Sequence, residues 1–303
     1  MNTPEPLAGR RAALRLMSAS AFGYSLAYAG AALAQGKAAA LPRLVTISGA
    51  ITEVAYLLGA ESQLVGTDTT SLYPAAAQKT PKVGYMRQLS AEGLLSLRPD
   101  AVIATTESGP PVVLDQLRSA GVKVELIEAD HSWGEVQRKV DAVGRVAARE
   151  AQARALRVRL DAEWATLQQQ ILAATTGAGT SGRKPRVLFV MAQAASPQVA
   201  GEKTAAHAVI GFAGGVNCMG GFNGYRPMTA EALAKAAPDV IVTTAQSIEA
   251  QGGIDRFWQR PELALTPAFG KRALIVQDAL LLLGFGPRLP EAIRTLHAQL
   301  RAA

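Results

Sequence analysis

Between residues 43 and 128, short apolar runs alternate with stretches whose apolar residues recur at helical spacing. "RLVTISG" (43–49), "QLVGTD" (63–68), "AVIATT" (101–106) and "KVELIE" (123–128) are short, β-branched and bounded by turn residues, and read as strands. "ITEVAYLLGA" (51–60), "AEGLLSL" (91–97) and "VVLDQLRSAG" (112–121) read as helices. The first carries Gly59 near its end, the second stops before Pro99 and the third closes on Gly121. Strands alternating with short helices predict a mostly parallel sheet covered by helices on both faces.

From Trp133 to about Ala173 the rhythm changes. The stretch from Glu135 onward contains no proline and a single glycine, and its apolar positions recur every three or four residues. This spacing predicts one long helix, with an interruption expected near Gly144. "TTGAGTSGRKP" (175–185) then reads as a flexible connection, and "RVLFVMA" (186–192) opens a second alternating region that runs to the end.

The two alternating regions are related to each other. "LSAEGLLSLRPDAVIATTES" (89–108) aligns without a gap on "MTAEALAKAAPDVIVTTAQS" (228–247), at an offset of 139. A shared strand alone could be chance; a helix cap, a Pro-Asp turn and a strand in one register are a repeat. The expected fold is therefore α/β, with two similar Rossmann-like lobes of mostly parallel sheet flanked by helices, joined by one long α-helix. The expected boundaries are 41–132 for the first lobe, 133–174 for the linking helix and 184–303 for the second.

The N-terminus belongs to neither lobe. Arg10, Arg11 and Arg15 precede an uncharged Ala/Leu/Gly-rich stretch from Leu16 to Leu33, which closes on the small-x-small triplet Ala32-Leu33-Ala34. This is a signal-peptide pattern over residues 1–34, with cleavage expected after about Ala34 and export to the periplasm. The Arg10-Arg11 pair leaves both the general secretory and the twin-arginine routes open.

The formal charge of +7 falls to +5 without Glu5 and those three arginines, and the remaining basic residues are scattered. With 5% aromatic residues as well, nothing suggests a nucleic-acid partner; an acidic ligand or anionic partner fits better. Cys218 is the sole cysteine, which excludes an intrachain disulfide and a cysteine metal site, and it reads as a small buried apolar residue. His131, His207 and His297 lie in separate segments and read as surface or capping residues. No phosphate loop, dinucleotide fingerprint or nucleophile elbow is present, and no acid, base and nucleophile form a set. A two-lobed exported chain of this kind reads as a binding protein and not an enzyme, its ligand held in the cleft between lobes.

The repeat selects residues around that cleft. Arg87 aligns with Arg226, Ser90 with Thr229 and Glu92 with Glu231, so each lobe carries an arginine three residues before a helix cap and a glutamate two residues after it. Two arginines on opposite walls suit a ligand with two carboxylates. Tyr85 aligns with Gly224, and Tyr225 lies one residue along, so the phenol is one-sided. One phenol and two cations suit a ferric porphyrin, whose iron accepts a phenolate and whose propionates need positive partners. Glu92 and Glu231 fit equally as first-turn acids favoured by the helix dipole or as a docking pair for a membrane partner.

"VTISGAITEVAYLLGA", "VGTDTTSLYPAAAQKTPKVGYMRQLSAEGLLSLRPD" and "LLLGFGPRLPEAI" resemble the haem-binding periplasmic proteins of bacterial ABC haem importers, the HmuT, PhuT and ShuT type. They belong to a helix-linked class that also carries cobalamin and ferric siderophores, which are the alternative cargoes here. The resemblance covers essentially the whole mature chain and is most specific at "GYMRQLSAEG". It implies haem as transported ligand, Tyr85 as the axial ligand of its iron, and Arg87 bonded near that ligand or the propionates. It further implies Arg226 as a propionate partner, with Arg256 and Arg288 as competitors, and Tyr73 as the fallback iron ligand. Glu92 and Glu231 would dock on an inner-membrane ABC permease dimer with its ATPase, the haem arriving from an outer-membrane receptor. Relatives that stack two haems carry a histidine where this chain has Gln193 in "VMAQAAS", so one haem is expected.

Overall fold

A computed structural model describes residues 1, 40–176, 183–192 and 197–303. The signal-peptide reading, Gln193 and most of the 175–185 connection lie outside these residues. The first lobe places four strands, β1 (Leu44–Thr46), β2 (Leu64–Thr67), β3 (Ala101–Thr105) and β4 (Lys123–Ile127), in one parallel sheet of order β2-β1-β3-β4. Every residue of β1 and β3 is buried, as expected of strands covered on both faces.

One face carries α1 (Gly49–Leu57) together with α4 (Trp133–Val146) and the first half of α5 (Glu150–Thr176), packed through Ile51, Val54, Val140, Val143, Leu156 and Leu160. The other carries α2 (Ala91–Ser96) and α3 (Pro111–Ser119), through Leu94, Val113 and Leu117.

The second lobe repeats this arrangement. Strands β5 (Arg186–Met191), β6 (Gln198–Ala200), β7 (Val216–Asn217), β8 (Tyr225–Pro227), β9 (Val240–Thr244) and β10 (Leu274–Gln277) form one sheet. Its parallel part runs β7-β5-β9-β10, matching the first lobe strand for strand, and antiparallel β6 and β8 extend it beside β5. Helices α6 (Ala205–Phe212), α7 (Ala230–Ala236), α8 (Ala245–Ala250), α9 (Ile254–Trp258), α10 (Pro267–Lys271), α11 (Ala279–Leu283) and α12 (Leu289–Ala302) complete it.

The repeat extends to individual bonds. Asp100 accepts from the Arg43 backbone N–H at 2.7 Å, and Arg43 donates through Nε and Nη2 to the carbonyls of Arg98 and Leu97 at 3.0 and 2.8 Å. In the second lobe Asp239 accepts from the Arg186 N–H at 2.8 Å, and the Arg186 guanidinium donates twice to the Ala236 carbonyl. Arg98 and Ala237, aligned by the repeat, are both left-handed, with φ of 47° and 42°. In each lobe the Pro-Asp carboxylate therefore holds the start of the central strand, and the arginine at that start holds the preceding helix end.

The expected single helix over 133–174 is instead a helical hairpin. Its turn falls just past Gly144, at Ala147–Arg149, where Ala148 takes a left-handed φ of 53°. Gly144 stays helical because its bare Cα admits the Ala153 methyl of the returning helix, a contact any side chain there would block. Asp161 locks the hairpin by accepting from Trp133 Nε1 at 2.8 Å and Gln137 Nε2 at 2.7 Å. α5 runs from one lobe into the other: Leu156 and Leu160 enter the first core, while Leu167 and Ile171 enter the second. Trp164 at its middle stacks on Trp133 at 4.7 Å and meets Phe212 edge-on at 5.0 Å.

A second seam joins the lobes through residues 284–288. Buried Lys139 donates to Glu135 at 2.6 Å and to the carbonyls of Gly284 and Phe285 at 2.9 and 3.0 Å, which satisfies all three of its donors. Arg288 forks onto buried Glu53, with both nitrogen–oxygen distances at 3.0 Å, and lies 3.7 Å from the Tyr73 ring centroid.

Candidate binding site between the lobes

Tyr85, Met86 and Arg87 occupy the turn that leads into α2, whose cap Ser90 accepts from the Gly93 N–H. Gly84, at φ 99°, makes the bend, and its carbonyl accepts from the Thr69 N–H at 3.0 Å. Two backbone bonds lace this turn to the loop after β3: Gly109 N–H to the Met86 carbonyl at 2.9 Å, and Leu89 N–H to the Gly109 carbonyl at 3.0 Å. The lacing brings Glu107 against Arg87.

Arg87 then bridges two oxygens. Its Nη1 donates to the Tyr85 hydroxyl at 3.1 Å and its Nη2 to Glu107 Oε2 at 2.9 Å. Burial alone would lower the Arg87 pKa, but Glu107 and Tyr85 outweigh it and hold the guanidinium above its ordinary value. The other Glu107 oxygen lies 3.9 Å from Nε2 of His131, a residue at φ 56° whose ring packs on Phe285. His131 is thus part of the cleft's polar lining and not a simple surface residue. His297, in contrast, donates through Nδ1 to the Ala213 carbonyl at the end of α6, as a capping side chain does.

From the second lobe, it is Tyr225 that faces this group. Burial pushes its phenol up to about 12, with the Glu107 charge adding to the rise and Arg87 opposing it. Arg226, next along β8, projects to the opposite side of the strand, where its guanidinium lies 4.5 Å from the Phe222 ring centroid. The expected arginine pair is therefore not a symmetric one: Arg87 is bonded to Tyr85 and Glu107, while Arg226 has no carboxylate partner among the described residues. Exposed Arg256 lacks one as well, whereas Arg288 is committed to Glu53. Tyr73 is 45% exposed, with one ring face covered by Arg288.

Glu92 and Glu231 are both exposed in the first turns of α2 and α7, behind the caps Ser90 and Thr229. Cys218 is partly buried, and burial pushes its thiol up to about 12. No cluster of three or more His, Cys, Asp or Glu among the described residues could hold a bare metal ion. A separate depression of 470 Å³, lined by Asp255, Trp258, Gln259 and Arg272, lies beside the start of β10, at the end of the sheet away from the turns described above.

Glu107 escaped the sequence reading although it lies inside the repeat, opposite Gln246. That acid-for-amide difference in otherwise matching segments was the available signal.

The sequence model of periplasmic binding proteins matches residues 44–279. The chain belongs to the periplasmic binding protein family. Members of this family bind and carry ligands in transport. Among solved structures, the periplasmic heme-binding protein BhuT in complex with two hemes superposes with a TM-score of 0.80 at 43% identity, covering 86% of this chain and 98% of that one. RhuT, a periplasmic heme-binding protein from Roseiflexus sp. RS-1 in apo form, gives 0.80 at 35% identity, with 86% and 98% covered. A periplasmic heme-binding protein from Pseudomonas aeruginosa gives 0.77 at 36%, with 87% and 94% covered.

Among curated proteins, an uncharacterized ABC transporter substrate-binding lipoprotein of Bacillus subtilis is 26% identical over 70% of this chain and 67% of its own length. The vitamin B12-binding protein of Vibrio vulnificus is 32% identical over 29% of this chain and 32% of its own.

Proposed function

We propose that this periplasmic binding protein carries haem: a ferric haem sits in the inter-lobe cleft with Tyr85 as its axial ligand and is delivered to an inner-membrane ABC permease dimer with its ATPase. The observation that carries this reading is the Arg87 hydrogen bond to the Tyr85 hydroxyl, 3.1 Å long, at the mouth of the first lobe. A phenol oxygen is a ligand of ferric haem iron, and a charged donor bonded to it holds that oxygen in one orientation. The structural likeness to three heme-binding proteins at 35–43% identity supports the same cargo.

In this reading Arg87 serves the iron ligand, and a propionate is met either by Arg226, once it swings off the Phe222 ring and round the edge of β8, or by Arg256, because Arg288 already neutralises Glu53. The chain is exported with its signal peptide cleaved after about Ala34, haem comes from an outer-membrane receptor, and the protein transfers its cargo without chemical change. Glu92 and Glu231 contact the permease, one from each lobe.

Absorbance titration of the purified protein with hemin tests the proposal. The expected result is a ferric, tyrosinate-type spectrum saturating at one equivalent, and loss of its charge-transfer band in Tyr85→Phe. Saturation at two equivalents, the number held by the BhuT structure, would correct the stoichiometry. A parallel cobalamin titration addresses the second reading, favoured by the segment shared with the vitamin B12-binding protein. A corrinoid response without a hemin response would replace haem as the cargo.

A further inference from the structure

We infer that Glu107 is a positioning residue that holds Arg87 on the Tyr85 oxygen and thereby sets the donor strength of the phenolate toward the bound iron; this rests on the haem reading above. An arginine on a loop, its side chain 51% exposed, has many rotamers open to it. One contact of 3.1 Å to a neutral phenol would not select among them, but a charge-assisted bond of 2.9 Å to Glu107 on the other arm does. Glu107 is itself placed by the two backbone bonds that lace its loop to the Tyr85 turn.

The second lobe supplies the contrast. At the position matching Glu107, Gln246 turns away to α11, donating to Asp278 at 3.2 Å and accepting from the Ala279 N–H at 3.2 Å. Its arginine, Arg226, rests on Phe222 with no carboxylate to orient it. The acid therefore occurs in the lobe whose arginine faces a phenol within its own turn.

Two consequences follow. With Glu107 engaged, Arg87 is half neutralised and is not free to swing to a carboxylate of the ligand. And because the guanidinium donates to the phenol oxygen, it draws electron density from the oxygen–iron bond. Losing the orientation should change that bond and leave the rest of the pocket intact.

The experiment compares hemin-loaded wild type, Glu107→Gln, Arg87→Ala and the double variant by the phenolate-to-iron charge-transfer band and the iron–oxygen stretch in resonance Raman. Glu107→Gln is isosteric at a 39% exposed site, so folding is retained. Its band is expected to move most of the way to that of Arg87→Ala, with haem affinity falling three- to tenfold, and the double variant should match Arg87→Ala alone. In the ligand-free protein the Arg87 guanidinium NMR signals, separated by hindered rotation in wild type, should average in Glu107→Gln.

A wild-type band in Glu107→Gln, or an equal further shift when the change is added to Arg87→Ala, overturns the inference while leaving Tyr85 as ligand. If Tyr85→Phe keeps the wild-type band, or wild type takes up no hemin, the haem-site reading fails first and the inference falls with it.

Discussion

Arg87 donates to the hydroxyl of Tyr85, two residues earlier in the same turn, and this bond distinguishes it from the arginine that the repeat pairs with it. Arg226 faces an aromatic ring instead. The two should therefore fail differently. Arg87→Ala is expected to shift the charge-transfer band and to weaken haem binding by about 1.5–3 kcal/mol, the usual range for a charged hydrogen bond, which is roughly ten- to a hundredfold. Arg226→Ala should weaken binding with the band unmoved. Equal spectral shifts in both variants would return Arg226 to the iron side of the site.

Glu92 and Glu231 sit where a helix dipole favours an acid, a contribution of about 0.3–1 kcal/mol each, and neither forms an ion pair among the described residues. Their replacement by alanine should leave hemin affinity unchanged and cost little stability. Haem uptake by cells, and stimulation of the permease-bound ATPase, should drop at least tenfold in the double variant. Undiminished uptake would assign both residues to helix ends alone.

Much of this architecture can be read along the chain, and the repeat is the reason. The Arg43–Asp100 and Arg186–Asp239 turns, the Ser90 and Thr229 caps and strands β3 and β9 are local patterns, and they recur at one offset. The exact turn at Ala148 was hidden because an alanine, and not a glycine, takes the left-handed conformation. Gly144 marks the neighbourhood of that turn, and its bare Cα serves close helix approach. The seam of Glu53 with Arg288, and of Lys139 with the Gly284 and Phe285 carbonyls, joins residues more than a hundred positions apart, which no local pattern encodes. Alternation along β8 decided which of Tyr225 and Arg226 faces the cleft, and that required the register with β6.

Tyr225 should remain a neutral phenol far into alkali. Its pKa is pushed up to about 12, first by burial and then by Glu107. Carbon-13 NMR of labelled tyrosine, assigned with Tyr225→Phe, should show it titrating near there, and Glu107→Gln should bring the value down. The unfolded chain releases this proton near the ordinary tyrosine value of 10.0, so between that pH and about 12 the unfolded state binds fewer protons and stability falls as pH rises. Tyr225→Phe should make that alkaline decline shallower. A Tyr225 that ionises near its ordinary value would mean that its phenol is not buried in the cleft.

The Arg288–Glu53 fork makes the last prediction. Glu53 is 3% exposed, and burial raises its pKa despite the two bonds from Arg288. Arg288→Ala would leave a buried carboxylate without its partner, a change that costs about 3–5 kcal/mol. The loss must depend on pH in a defined sense. With its folded pKa raised further, Glu53 binds a proton in the folded state before the unfolded one does, so stability rises as pH is lowered through that raised value. Urea denaturation at pH 8 should show the full loss, and at pH 5 a much smaller one. Adding Glu53→Gln should recover part of the stability at pH 8 and remove the pH dependence. An equal loss at both pH values would point to the cation–π contact with Tyr73, 3.7 Å away, in place of the buried charge.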